Sequence, residues 1–249
     1  MTVDDQNFAG ALEAVARARP EAPCLIRPGA ADWRYADLFD RSARMAGVLR
    51  AWGVGAGDRV LVQVEKSADA VALYLACLRT GAVFVPLNTA YTSGEVAYFA
   101  ADSDPALIVC RIADREDRIR IAPGVRVETL GAAGDGTLAE AATHAAADAA
   151  MAVRASDDLA ALVYTSGTTG RSKGAMLTHG NLASNARTLL DVWGWRQDDV
   201  LLHALPIFHV HGLFVALHCA LLSGTPMIFL PQFEAATVLD LLGRATVLM

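Results

Sequence analysis

Residues Tyr164 to Leu177 read YTSGTTGRSKGAML and carry six hydroxyl side chains, three glycines, an arginine and a lysine between two apolar runs. Glycines leave backbone N–H groups open to close approach, and the neighbouring hydroxyls add donors. Such a nest accepts a tetrahedral anion, and a nearby cation strengthens the attraction. Phosphate is the natural ligand. The P-loop of nucleoside triphosphatases is a different device, because it ends in Gly-Lys-Ser/Thr on a helix. Here Lys173 stands between Ser172 and Gly174 and leads into a strand-like AML. A flexible linker is the other reading of so much Gly, Ser and Thr, but linkers do not usually sit between two buried strands.

A second stretch able to do chemistry is LPIFHVHG, Leu205 to Gly212. Its apolar start places a turn after a strand, and His209 and His211 can face a pocket at the head of the next helix. Histidine there can donate a hydrogen bond to an anion. An HxH pair can also ligate a metal, but no third ligand of matching spacing is evident, so no metal is assigned. His203 and His218 read as satisfied core or helix-face histidines. His144 reads as solvated and without function.

The elements that must position these residues follow from periodicity. Apolar spacing predicts helices over Phe8 to Arg19, Tyr35 to Trp52 and Ala68 to Arg79, the last two closed by Gly53 and Gly81. CLI, DRVLVQV, Ala82 to Val85, ALIVC and Leu159 to Tyr164 read as strands, and Thr92 or Ser93 with Glu95 can cap a further helix. Gly131 to Ala155 reads as a loop and a surface helix. Beyond the phosphate loop come a short strand AMLT, a helix from about Asn181 to Trp193, the strand PMIFLP, a helix over Ala235 to Leu242 and a final strand ATVLM. Strands alternating with helices predict an α/β fold with parallel sheets covered on both faces. The sequence stops inside an apolar strand with no polar tail, which predicts the front portion of a longer protein.

Composition narrows the function classes. At 249 residues, 54% hydrophobic and 19% charged, the chain can bury a large core as one domain or two closely associated ones. A net charge of −6 and the lack of a long Lys/Arg cluster exclude a nucleic-acid surface. Cys24, Cys77, Cys110 and Cys219 lie in apolar stretches without metal spacing, as reduced core thiols of a cytoplasmic protein do. The acidic start MTVDDQNFAG lacks the features of a secretion signal. Ala204 to Leu222 approaches the length a bilayer requires, but Pro206, His209, His211 and His218 make it a buried core helix beginning near Gly212, not a membrane span.

TSGTTGRSKG, Thr165 to Gly174, resembles the phosphate-binding signature of the adenylate-forming superfamily of acyl-CoA synthetases, luciferases and peptide-synthetase adenylation domains. Ser172 stands where that signature commonly has proline. Three further blocks resemble the family's in the same order: WRYADL, LRTGAVFVPLN and LPIFHVHG. With LNTAYT, DSDPALIVC, HALPIFHVHGLFVA and MIFLPQF, the chain looks most similar to the malonyl-CoA synthetases within the superfamily.

That resemblance implies two packed, parallel-rich sheets flanked by helices, forming the N-terminal portion (1–249) of an adenylate-forming large domain. Residues 55–197 would form the first α/β subdomain with the phosphate loop, and 1–54 with 198–249 part of the second. The C-terminal lid domain, with the adenylation lysine, would lie beyond residue 249, and Lys173 is not that lysine. It further implies ATP with Mg²⁺, a small-molecule carboxylate, and coenzyme A as co-substrate. Thr165, Ser166, Gly167, Thr168, Thr169, Gly170 and Lys173 would hold the β- and γ-phosphates, and His209 and His211 would line the acyl pocket. Amino-acid-activating relatives usually have an aspartate near the position of His209, so amino-acid activation is disfavoured. Another short-chain or aryl acyl-CoA synthetase, or a catalytically incompetent nucleotide-binding fragment, remain the alternatives. The incomplete second sheet would pair with missing chain or self-associate.

Overall fold

Capping and breaking residues set the element boundaries of the computed structural model, which describes residues 6–165 and 171–249. Among these, the strands are β1 (Pro23–Ile26), β2 (Trp33–Arg34), β3 (Arg59–Gln63), β4 (Val83–Pro86), β5 (Leu107–Cys110), β6 (Arg126–Thr129), β7 (Leu159–Thr165), β8 (Lys173–Thr178), β9 (Leu201–His203), β10 (Met227–Phe229) and β11 (Val247–Leu248). The α-helices are α1 (Phe8–Ala18), α2 (Tyr35–Ala51), α3 (Ala68–Thr80), α4 (Ser93–Ser103), α5 (Arg115–Ile121), α6 (Thr137–His144), α7 (His179–Val192), α8 (His218–Ser223) and α9 (Ala235–Leu241).

Side-chain caps explain several starts. The Ser67 hydroxyl accepts from the Ala70 N–H ahead of α3, and Thr92 with Glu95 forms a reciprocal capping box on α4. Helix α3 stops at Gly81, whose φ of 74° suits a residue without Cβ. The segment after Pro206 departs from the expected helix. It opens as a π-helical turn, His211–Leu217, before passing into α8.

Two sheets result, ordered β11-β9-β10-β1-β2 and β6-β5-β3-β4-β7-β8. Their pairings are parallel except β1 with β2 and β7 with β8. The two exceptions have a local cause, since strands joined by a short loop pair antiparallel, whereas parallel strands need a long crossover, and the parallel-rich expectation holds. The class is α/β with two parallel-rich sheets.

Successive residues of the central strands face opposite ways. Val60 and Val62 enter one core with Phe84, Leu107 and Val109, while Leu61, Val85, Ile108 and Cys110 enter another with Phe99 and Tyr164. The first of these cores also takes Leu25, Leu201, Met227 and Phe229 from the other sheet, so one apolar interior runs between both sheets. Helix α3 lies within it and is buried along its whole length. All four cysteines are buried and unpaired. No helix of the described residues is long and apolar enough to cross a membrane.

Candidate functional site

The strands that flank the Gly/Ser/Thr-rich segment, β7 and β8, pair antiparallel. Thr165, the last residue of β7, stands opposite Lys173, the first of β8, in a register that continues through Tyr164 with Gly174 and Val163 with Ala175. Both Thr165 and Lys173 are exposed. The intervening Ser166, Gly167, Thr168, Thr169 and Gly170 lie outside the described residues. Close packing fixes the hairpin's base, because a Cβ on Gly174 would come within 2.8 Å of the Leu162 side chain.

Helix α4 holds both ends of the loop. Tyr98 donates its hydroxyl proton to the Ser172 carbonyl at 2.8 Å, and the Arg171 guanidinium lies 5.4 Å from the centre of the Tyr98 ring. Tyr164, next to Thr165, donates to Asp102 Oδ2 at 2.6 Å. Burial, followed by this carboxylate partner, pushes the Tyr164 phenol well up, so it stays a neutral donor.

A cavity of about 340 Å³ opens beside the hairpin, with Thr165, Tyr164 and Val163 on one wall and Phe208, His209, Val210 and His211 facing them. Pro86, Asn88 and Tyr91 complete the lining. The cavity thus brings Thr165, His209 and His211 together. Lys173 lies outside the lining, across the ladder from Thr165. Both histidines are exposed, and the His209 ring sits 4.8 Å from that of Phe208.

Buried polar groups behind this cavity carry information that sequence patterns missed. Gln63 is buried at the end of β3, and its amide donates to the Asn88 carbonyl at 2.9 Å and the Tyr91 carbonyl at 3.2 Å. The same side chain accepts from Arg118 at 2.6 and 3.2 Å. One strand glutamine therefore holds the rim segment that follows β4. A second chamber, about 320 Å³, adjoins on the far side of Phe208 and is lined by Glu65, Lys66, Thr89 and Gln232 among apolar groups. Lys66 is 8% exposed, and burial pulls its amine down to about 6. The one signal in the sequence was a lysine three residues beyond the end of an apolar strand.

The HVHG turn folds tightly back on LPIF. A Cβ on Gly212 would fall 2.2 Å from the Pro206 carbonyl oxygen, so the position admits no side chain without movement of backbone. His203 and His218 are core histidines with partners: His203 meets Lys66 and the Gly212 carbonyl, and His218 meets the Tyr74 hydroxyl at 2.8 Å.

Comparison with known proteins bears on the fold and the family of the chain. The fold matches the crystal structure of ATP-bound MatB from Rhodopseudomonas palustris with a TM-score of 0.95 and 48% identity, over 98% of this chain and 49% of that one. In sequence, the long-chain-fatty-acid–CoA ligase FadD13 of Mycobacterium tuberculosis is 33% identical over 95% of this chain and 48% of its own length. The mitochondrial malonate–CoA ligase ACSF3 of Mus musculus is 35% identical over 82% of this chain and 36% of its own. The chain spans about half the length of the first curated relatives it matches. Since the profile of the AMP-binding enzymes matches residues 12–248, the chain belongs to the AMP-binding enzyme family.

Proposed function

We propose that this chain forms the ATP- and acid-binding part of an acid–thiol ligase that activates malonate, or methylmalonate, as an acyl-adenylate and passes the acyl group to coenzyme A. The observation that carries this reading is one cavity shared by Thr165, where the Gly/Ser/Thr loop begins, and by His209 and His211. Phosphates on the loop side and an acid on the histidine side would meet within it. Likeness to an ATP-bound structure and to a malonate–CoA ligase supports the same reading. In this scheme residues 55–197 form one α/β subdomain, 1–54 and 198–249 contribute to the other, and the rest of the enzyme is further chain.

In the first step a carboxylate oxygen bonds to the α-phosphorus of ATP and the bond to pyrophosphate breaks. The Thr165 hydroxyl and Lys173 ammonium, with Ser166, Gly167, Thr168, Thr169 and Gly170, stabilise the charge that gathers on the departing group. His209 and His211 donate hydrogen bonds to the acid. The coenzyme A sulfur then bonds to the acyl carbon, AMP leaves, and the thiol proton passes to water. Mg²⁺ would neutralise phosphate charge and bind largely through phosphate oxygens and water. Among the described residues no three His, Cys, Asp or Glu side chains converge to hold a metal ion, so none is assigned to it.

The second reading, a ligase for another short-chain or aryl acid, is favoured by the chamber of about 320 Å³ beyond Phe208, which offers room for a ring. Pyrophosphate exchange by the full-length gene product, with malonate, methylmalonate, acetate, benzoate and an amino acid side by side, separates the two. Exchange confined to the dicarboxylates is the expected result. Preference for a monocarboxylate removes malonate and keeps the ligase; no exchange with any acid removes both.

A further inference from the structure

Lys66 lies between β3 of one sheet and the start of α3, yet its amine reaches the other sheet. Nζ is 2.9 Å from His203 Nδ1 and 2.8 Å from the His203 carbonyl oxygen, at the end of β9. That carbonyl also accepts the Leu230 N–H, so both its lone pairs are used. On the other side of the ring, His203 Nε2 is 2.9 Å from the Gly212 carbonyl oxygen.

These partners fix the direction of every bond. A carbonyl only accepts, so Nε2 carries the ring hydrogen. Burial, then the neighbouring Lys66, pull His203 down to about 3, so the ring is neutral and Nδ1 is left as an acceptor for the lysine. The chain therefore runs one way: Lys66 N–H to Nδ1, and Nε2–H to Gly212. It ends one residue past His211, on the turn that already packs against Pro206.

A buried lysine is a poor stabiliser, because its ammonium form is costly to desolvate and burial favours the neutral amine instead. As a constraint it is effective, since two acceptors on one residue leave it little freedom. We infer that Lys66 is a positioning residue for the acid pocket, acting through His203 to fix the Gly212 carbonyl and with it the turn from which His209 and His211 face the cavity. The inference rests on the proposed malonate ligase reading, in which the acid occupies the cavity of His209 and His211, and Lys66, lining the neighbouring chamber, touches neither acid nor nucleotide.

The test uses the full-length gene product in pyrophosphate exchange with malonate. Lys66→Met keeps the length of the side chain and removes its donors. It should raise the KM for the acid about tenfold, equivalent to about 1.4 kcal/mol, while the KM for ATP stays within about twofold. His203→Gln retains one acceptor and one donor and should stay near wild type, whereas His203→Leu should behave as Lys66→Met. A merely structural lysine would lower the active fraction, reducing kcat with neither KM moved, and that result overturns the inference. So does an equal rise in both KM values. If Lys66→Met does not fold, the comparison of His203→Gln with His203→Leu decides by the same criteria. Wild-type product without exchange sinks the malonate ligase reading and this inference with it; active wild type with an unchanged Lys66→Met sinks this inference alone.

Discussion

Gly212→Ala sets two effects of opposite sign against each other. Within a helical turn alanine is favoured over glycine by about 1 kcal/mol. At this position, however, the new Cβ would stand 2.2 Å from the Pro206 oxygen, 3.0 Å from its carbonyl carbon and 3.2 Å from Leu205 Cβ. The nearest of these atoms are backbone and cannot rotate aside. Overpacking costs about 1–3 kcal/mol, and a rigid backbone neighbour places this site at the upper end. The clash therefore outweighs propensity, for a net loss of about 2 kcal/mol, or a fall in Tm of roughly 4–8 °C for a domain of this size. Gly10→Ala in α1 is the control, because nothing lies within 4 Å of its added Cβ. That variant should gain about 0.5–1 kcal/mol. Both are read by thermal and urea unfolding of the full-length product. A Gly212→Ala protein as stable as wild type would show that the turn does not pack on Pro206 as described.

Two further variants probe other parts of the site and its core. Tyr98→Phe removes the hydrogen bond to the Ser172 carbonyl and should raise the KM for ATP about fivefold, from about 1 kcal/mol, with the KM for the acid unmoved; an unchanged KM for ATP would remove the Tyr98 hydroxyl as an anchor of the Gly/Ser/Thr loop. His218 is neutral in the fold, brought down to about 3 by burial, and titrates near 6.5 when unfolded. Unfolded chain thus binds a proton that native chain does not, so this contribution is complete above about pH 6.5 and declines as pH falls towards about 3. His218→Gln keeps an acceptor for Tyr74 and should reduce the slope of unfolding free energy against pH by roughly 1.4 kcal/mol per unit between about pH 4 and 6. An unchanged slope would mean that His218 takes up its proton in the fold.

Periodicity and breakers made most of the fold legible. Phe8, Leu12 and Ala16 recur at helical spacing, and Gly81 and Pro105 punctuate real boundaries, so α1, α3 and β5 fall within a residue or two of expectation. The sequence was silent on α5 and β6, because REDRIRI is too charged to show an apolar stripe and RVET is a short edge strand. The π-helical turn was equally invisible: HGLFVAL reads as ordinary helix, and the close approach of Gly212 to the Pro206 carbonyl exists only in the folded chain. At the site, Thr165, Lys173, His209 and His211 stood out by residue type. Lys66, Gln63 and Tyr98 did not, since each acts on backbone carbonyls or a ring far away in sequence, and no local motif encodes such a partner.

The apolar interior that runs without a break between the sheets has a mechanical meaning. Bending one sheet away from the other would tear contacts made by Phe229, Leu201, Val60 and Phe84 and expose buried α3, so the pair resists a hinge. The floor of the cavity is accordingly stiff, and a nucleotide held there as proposed would be covered by parts other than these two sheets. For protein engineering the same continuity rules out trading one sheet as a cassette: a graft bounded by the loop between α7 and β9 would cut through a shared interior, and neither piece would carry a complete core into its new host.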